Sequence, residues 1–126
     1  VKALAGAGAR VFILGRNAEK SAAVVADFAK EGHTIEAIQC DVLDEGAVAG
    51  AVEEVMSKAG RVDILVNGAG GNRPGATVGP DSSIFELGIE DFRQVNDLNL
   101  LGTVIPSIAF AKPMVTQGSG CIVNIS

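Results

Sequence analysis

Residues able to do chemistry are few in this chain, and several gather in one stretch. Asp63 to Asn72 reads DILVNGAGGN, an apolar run of Ile64, Leu65 and Val66 passing into a turn of Asn67, Gly68, Ala69, Gly70 and Gly71. Glycines in such a turn allow positive φ and let a flat ligand come close. In an open α/β sheet, ligands bind beyond the carboxyl ends of the strands, so a cofactor would lie here. Taken alone, the stretch is equally an ordinary strand-to-loop junction. His33, the only histidine, falls in a turn and reads as a surface residue, not a base. Cys40 and Cys121 lack metal-type spacing, and both read as small buried hydrophobes of a reducing cytoplasm. No metal site is expected.

Composition narrows the classes. At 126 residues the chain is one domain or part of one, and 48% apolar residues can build a core. A formal net charge of −5 argues against nucleic acid, whose phosphates need a basic patch. No uninterrupted apolar run approaches the ~18 residues of a membrane span, and no signal peptide opens the chain, so no membrane partner is expected.

The elements that must position that turn follow from periodicity. Val1 to Ala9 reads as the end of a helix closed by Gly8. Its Gly6-Ala7-Gly8 imitates a dinucleotide fingerprint but precedes a strand instead of following one, and is a decoy. Arg10 to Leu14 reads as a strand, and Asn17 as the N-cap of a helix from Ala18 to Glu31 that buries Val24, Val25 and Phe28. Ile35 to Cys40 reads as the next strand. Asp44 caps a helix with Val48, Val52, Val55 and Met56 on one stripe, stopped at Gly60. After the DILVN strand comes the longest loop, Asn72 to Gly88. Glu90 to Gln117 then reads as a long helix with Phe92, Val95, Leu98, Leu101 and Ile105 inward, bent or ended at Pro106 or Pro113. Gly120 to Ser126 is a last strand. Alternating strands and helices imply an α/β, doubly wound parallel sheet.

These segments together resemble the short-chain dehydrogenase/reductase family over the whole chain. Arg10 to Asn17 resembles its second strand, and Asp41-Val42 the acidic-apolar pair ending its third. DILVNGAGG is similar to its Asn-Asn-Ala-Gly strand, with Gly68 in place of the second Asn. DLNLLGT, Asp97 to Thr103, resembles the turn holding its tetrad Asn, here Asn99. GCIVNIS is similar to the strand that leads to its catalytic Ser. The resemblance implies a partial, Rossmann-like NAD(P)-binding domain over residues 1–126, part of an oxidoreductase that interconverts a carbonyl and a secondary alcohol. It implies that Asp41 accepts from the adenine amino group while Val42 packs the ring. It further implies that Asn67, Ala69 and Gly70 line the ribose, and that a distortion at Asn99 frees a carbonyl to hold a water on the proton path. For Asp41 the alternative is a cap on the next turn; for Asn99, a helix Asn facing polar neighbours.

At the end of the second strand a carboxylate would bind the 2′-hydroxyl of NAD. Gly15 stands near that place, followed by the Arg16 guanidinium, suited to bidentate phosphate contact. NADP(H) is therefore expected over NAD(H), the alternative being NAD(H) held through Asn17 and backbone. The loop GGNRPGAT and the following FELGIEDFRQVNDLNLLGTVIPS are similar to the D-mannonate oxidoreductase, or fructuronate reductase, branch. That implies a small-molecule substrate such as a sugar acid, with Arg73 facing its carboxylate. The family often pairs through the long helix, so a homo-oligomeric parent is expected.

Departures are informative. The family's first strand and Gly-rich pyrophosphate turn do not precede Val1, and the chain has no Tyr for the family's Tyr-x-x-x-Lys pair. Ser126 aligns with the serine before the catalytic one. In the order 3-2-1-4-5 the missing strand is central, so the chain alone is expected to fold poorly and not to catalyse hydride transfer. The competing reading is a degenerate, non-catalytic dinucleotide-binding or interaction module. A flavodoxin-like receiver domain is disfavoured, since no acidic cluster follows the first strand.

Overall fold

The computed structural model describes residues 1–125, and the chain divides into two units, Val1–Val62 and Asp63–Ser126. In the first unit a short helix, α1 (Lys2–Gly6), ends at Gly8, whose φ of +87° only glycine adopts cheaply. Strands β1 (Val11–Gly15) and β2 (Ile35–Gln39) pair in parallel, from Val11 opposite Ile35 to Gly15 opposite Gln39. The crossover helix α2 (Ala18–Lys30) begins where Asn17 Oδ1 accepts the Lys20 N–H at 2.8 Å. Helix α3 (Glu45–Ala59) is capped the same way by Asp44 and ends at Gly60 in the left-handed region. Val48, Ala51 and Val55 are its buried stripe, and the unit's core is completed by Val11, Ile35, Ile38, Cys40 and Val62.

One expected stripe is corrected. No residue of α2 is fully buried; Val25 and Phe28 are half-buried, and Val24 is 40% exposed. The helix lies on β1 and β2, and a sheet of two strands is too narrow to cover its whole apolar face. His33 packs its ring beside Phe28, with centroids 6.3 Å apart, and is half-buried rather than free on the surface. A charge network ties the unit together. Arg10 donates to Glu36 (2.7 Å) and to the Lys58 carbonyl, while Lys58 pairs with Glu36 (3.2 Å) and Glu54 (2.7 Å).

In the second unit β3 (Ile64–Asn67) pairs in parallel with β4 (Cys121–Asn124), and the last rung sets Asn67 opposite Asn124. The loop between β3 and the next helix is not featureless: it contains 3₁₀ turns at Pro74–Ala76 and Ile84–Glu86, the second closed by a Ser83–Glu86 capping box. Then come α4 (Ile89–Asn96), a π-helical turn (Asp97–Leu101) and α5 (Gly102–Gln117).

The expected inward stripe of the long helix is met in part, with Val95, Leu98 and Ile105 half-buried. Phe92 (52%) and Leu101 (42%) are exposed, and the buried positions are Gly102, Pro106, Phe110 and Met114. A π turn inserts an extra residue, so the face turned inward slips to a new phase after it. Neither Pro106 nor Pro113 ends the helix, which runs to Gly118 in the left-handed region. By length and composition alone the run Ile89–Gln117, with mean hydropathy 1.4, is long and apolar enough to cross a membrane. It nevertheless packs against β3 through α5, as the core helix of a folded unit does.

Cys121 is another correction: Cys40 is buried, but Cys121 is exposed, because all of β4 lies open in this chain. Strand pairing supports the expected fold class. The two parallel pairs, β1–β2 and β3–β4, are those that the order 3-2-1-4-5 leaves when its first strand is absent.

Candidate functional site

In the first unit the carboxyl ends of two parallel strands bring four predicted residues together. Arg16 and Asn17 leave β1, and Asp41 and Val42 follow β2. Two bonds knit this edge: Gln39 Nε2 donates to the Arg16 carbonyl at 3.2 Å and the Cys40 N–H to the Gly15 carbonyl at 3.1 Å. The Arg16 side chain is exposed. A Cβ on Gly15 would stand 2.9 Å from Ser21 Oγ, so an acidic side chain there would first have to displace Ser21. The Asn17 carboxamide oxygen is spent on its helix cap. Asp41 Oδ1 accepts the Leu43 N–H at 3.0 Å, which is the turn-capping role, and a carboxylate retains capacity for further donors. Burial, with Asp41 and Asp44 nearby, pushes the Cys40 thiol pKa up, so Cys40 is packing and not a nucleophile.

In the second unit Asn67, Ala69, Gly70 and Asn99 come together at the carboxyl end of β3. Asn99 donates through Nδ2 to the Gly71 carbonyl (2.8 Å) and to the Val95 carbonyl one turn back (2.7 Å). Its Oδ1 accepts the Gly71 N–H at 3.3 Å. A Cβ on Gly70 would fall 2.7 Å from that oxygen, so a side chain there would have to displace the Asn99 carboxamide. An Asn that bonds its i−4 carbonyl competes with the α-helical ladder, and the π turn sits where it does so. The Asn99 backbone carbonyl accepts Thr103 Oγ1 at 3.1 Å. Asn67 is buried and its amide is engaged internally, with Ser107 and Asn124. Only its neighbours in the turn remain open to a ligand.

Beyond the turn, Gly88 N–H donates to the Gly75 carbonyl at 2.8 Å and closes the neck of the long loop. The Asp91 carboxylate fills that neck so closely that a Cβ on Gly75 would run into it. Arg73 Nη1 lies 3.9 Å from Asp91, both half-exposed. The guanidinium expected to meet a substrate carboxylate thus already faces a carboxylate of this chain. The expectation for Ser126 lies outside the described residues. Sequence reasoning missed Thr103, Ser107, Asn124 and Asp91. The first two carry a usable signal, hydroxyls four and eight residues beyond Asn99 on one helical run.

Comparisons with known proteins give these features a context. A profile described as short chain dehydrogenase matches residues 1–126. An uncharacterized oxidoreductase, UxuB, from Bacillus subtilis is 37% identical over 131 residues, covering 98% of this chain and 47% of that protein. The crystal structure of a protein from Haemophilus influenza described as a D-mannonate oxidoreductase, with bound NAD, superposes with a TM-score of 0.86 at 31% identity. It covers 99% of this chain and 48% of the other. A gluconate 5-dehydrogenase from Burkholderia cenocepacia, in complex with NADP and tartrate, gives 0.78 at 32%, covering 98% and 46%. The chain spans about half the length of the curated relatives it matches.

Proposed function

The chain belongs to the short-chain dehydrogenase family, and from that premise we propose that it is part of a longer NAD(P)-dependent oxidoreductase interconverting a carbonyl and a secondary alcohol. The observation that carries this reading is the clamp of Asn99 on Gly71, beside a Gly70 where a Cβ would strike the Asn99 carboxamide. A turn stripped of side chains and fixed by a neighbouring helix suits close approach of a flat cofactor. The residues present fit such a group. Asp41 has carboxylate capacity left for an amino donor, Val42 offers an apolar face, and the backbone of Ala69 and Gly70 faces outward for sugar hydroxyls. The cofactor, when bound, supplies or takes the hydride. Asn99 contributes the lone pair of its carbonyl, which holds a water and so a proton.

NADP(H) is the favoured cofactor. Arg16 is exposed and suited to a 2′-phosphate, while Ser21 occupies the space an acidic side chain at position 15 would need. The substrate is a sugar acid of the fructuronate or mannonate type, supported by the likeness to the mannonate and gluconate enzymes. The parent is a homo-oligomer. Leu101, Val104, Ile108 and Val115 form an exposed apolar stripe on the helix, wide enough to seat the same face of a second copy. Two free cysteines suit a reducing cytoplasm.

Steady-state kinetics on the full-length protein test the reading. A kcat/KM for NADPH at least about ten-fold above that for NADH, a difference of roughly 1.4 kcal/mol, is expected with a sugar-acid substrate. A preference for NADH would remove the Arg16 assignment. Absence of any turnover with nucleotide still bound would favour the non-catalytic module.

A further inference from the structure

Asn67 is the one buried polar side chain among the described residues, at 5% exposure. Both of its amide hydrogens are used: Nδ2 donates to Ser107 Oγ at 2.8 Å and to Asn124 Oδ1 at 2.9 Å. The Asn67 backbone carbonyl accepts the Ile125 N–H at 2.9 Å. Because Asn67 and Asn124 form the last rung of β3 and β4, these bonds fix where both strands leave the sheet. The Ser107 hydroxyl donates its hydrogen to the Thr103 carbonyl at 2.7 Å, which turns its lone pairs toward Asn67. Eight residues earlier on the same helical run, Asn99 holds Gly71. The turn is therefore anchored at both ends by one helix, through Asn67–Ser107 and Gly71–Asn99. Between the anchors Gly68, Ala69 and Gly70 have no side chain that could hold it.

We propose that Ser107 is a positioning residue: through the Asn67 amide it sets the path of the turn 67–71 and hence of the backbone groups offered to the cofactor. This rests on the reading of that turn as a cofactor contact. A hydroxyl is needed at position 107 because the group must donate to Thr103 and accept from Asn67 at once. Alanine leaves a buried N–H of Asn67 without an acceptor, and the amide finds one only by rotating, which carries the turn with it. Loss of helix propensity is not a confounding cause, since alanine is the better helix former.

The test is a set of variants in the full-length protein: Ser107→Ala, Ser107→Thr, Asn67→Ala and the double Ser107→Ala/Asn67→Ala. Turnover, fluorescence titration with NADPH and thermal melts are read for each. Ser107→Ala is expected to weaken NADPH binding several-fold and to lower kcat by roughly ten-fold or more, the scale of a slightly misplaced contact. Ser107→Thr should restore both. The double variant should be no worse than Asn67→Ala alone, because Ser107 acts through it. A fall in melting temperature with nucleotide affinity and kcat unchanged, or additive losses in the double variant, would overturn the proposal. If the wild type binds NADPH but turns nothing over, the non-additive binding losses still support positioning while the oxidoreductase reading fails. If the wild type binds no nucleotide, both fall.

Discussion

At the scale of single residues, Asn99 does more than its resemblance implied. One carboxamide bonds its own helix, bends it into a π turn and pins the peptide of Gly71. Gly70→Ala should force the Cβ into that carboxamide, and an overpacked contact of this kind costs about 1–3 kcal/mol. The expected outcome in the full-length protein is NADPH affinity weakened roughly ten-fold or more, read by fluorescence titration, with a smaller loss in melting temperature. Unchanged affinity would detach the turn from the cofactor. Arg73 makes a sharper case, because Asp91 already stands opposite it. Arg73→Ala should raise KM for a sugar acid by about ten-fold while leaving kcat for a neutral carbonyl substrate alone. Equal KM in the variant and the parent would take Arg73 out of the site. The cap of Asn17, the turn bond of Asp41 and the helix distortion at Asn99 were legible because cap and turn chemistry is local. The burial of Asn67 was not, since its partners Ser107 and Asn124 lie 40 and 57 residues away.

Among elements, the helix from Ile89 to Gln117 shows where periodicity stops informing. A constant 3.6-residue period carries Leu101 inward; the inserted residue at the π turn puts Gly102, Pro106, Phe110 and Met114 there instead. The signal lay in Asn99 but not in the hydrophobic pattern. The other helices, with Asn17 and Asp44 as caps and Gly60 as stop, were readable to within a residue or two. Packing between β1, β2 and α3 is reinforced by Arg10, Glu36 and Lys58. The Arg10 hydrogen bond foremost, with Lys58 assisting, holds the Glu36 carboxyl below its ordinary range. A lowered folded-state pKa means that this contribution is fully present above the unfolded value, about 4.3, and fades as pH falls through the lower one. Lys58 is raised, by Glu54 first and Glu36 next, so its share is lost only at strongly alkaline pH. Below about pH 5 the melting temperature of the full-length protein should therefore fall more steeply with decreasing pH in wild type than in Glu36→Gln. Parallel pH curves would assign the network no role. Glu36 is half-buried at the surface and within reach of solvent, so the effect is small and screened by salt.

Among the described residues both edges of each parallel strand pair lack a strand partner, and much apolar strand surface stays exposed, Ile64 at 47% and Val66 at 45%. Isolated two-stranded sheets bury too little to be stable alone. The 126-residue chain on its own is expected to melt without a sharp transition and to show no NADPH oxidation. Cooperative melting together with measurable oxidation would refute that. Fold class was legible from the alternation of elements because local order in α/β proteins repeats the global one. Exposure was not legible, because a hydrophobic strand reads the same whether or not its cover is present. Cys121 and Val24 both failed for that reason.

The neck joining Gly75 to Gly88 has an evolutionary meaning. A loop whose ends are already tied by a hydrogen bond and a wedged carboxylate hands no strain to the sheet when its interior changes. Doubling such a loop adds only about 0.6 kcal/mol of closure entropy. The residues between the two glycines therefore form an exchangeable cassette, open to insertion, deletion or wholesale replacement while the turn at Gly70 keeps its place. The loop can change in length and composition while Asn99 goes on holding the peptide of Gly71.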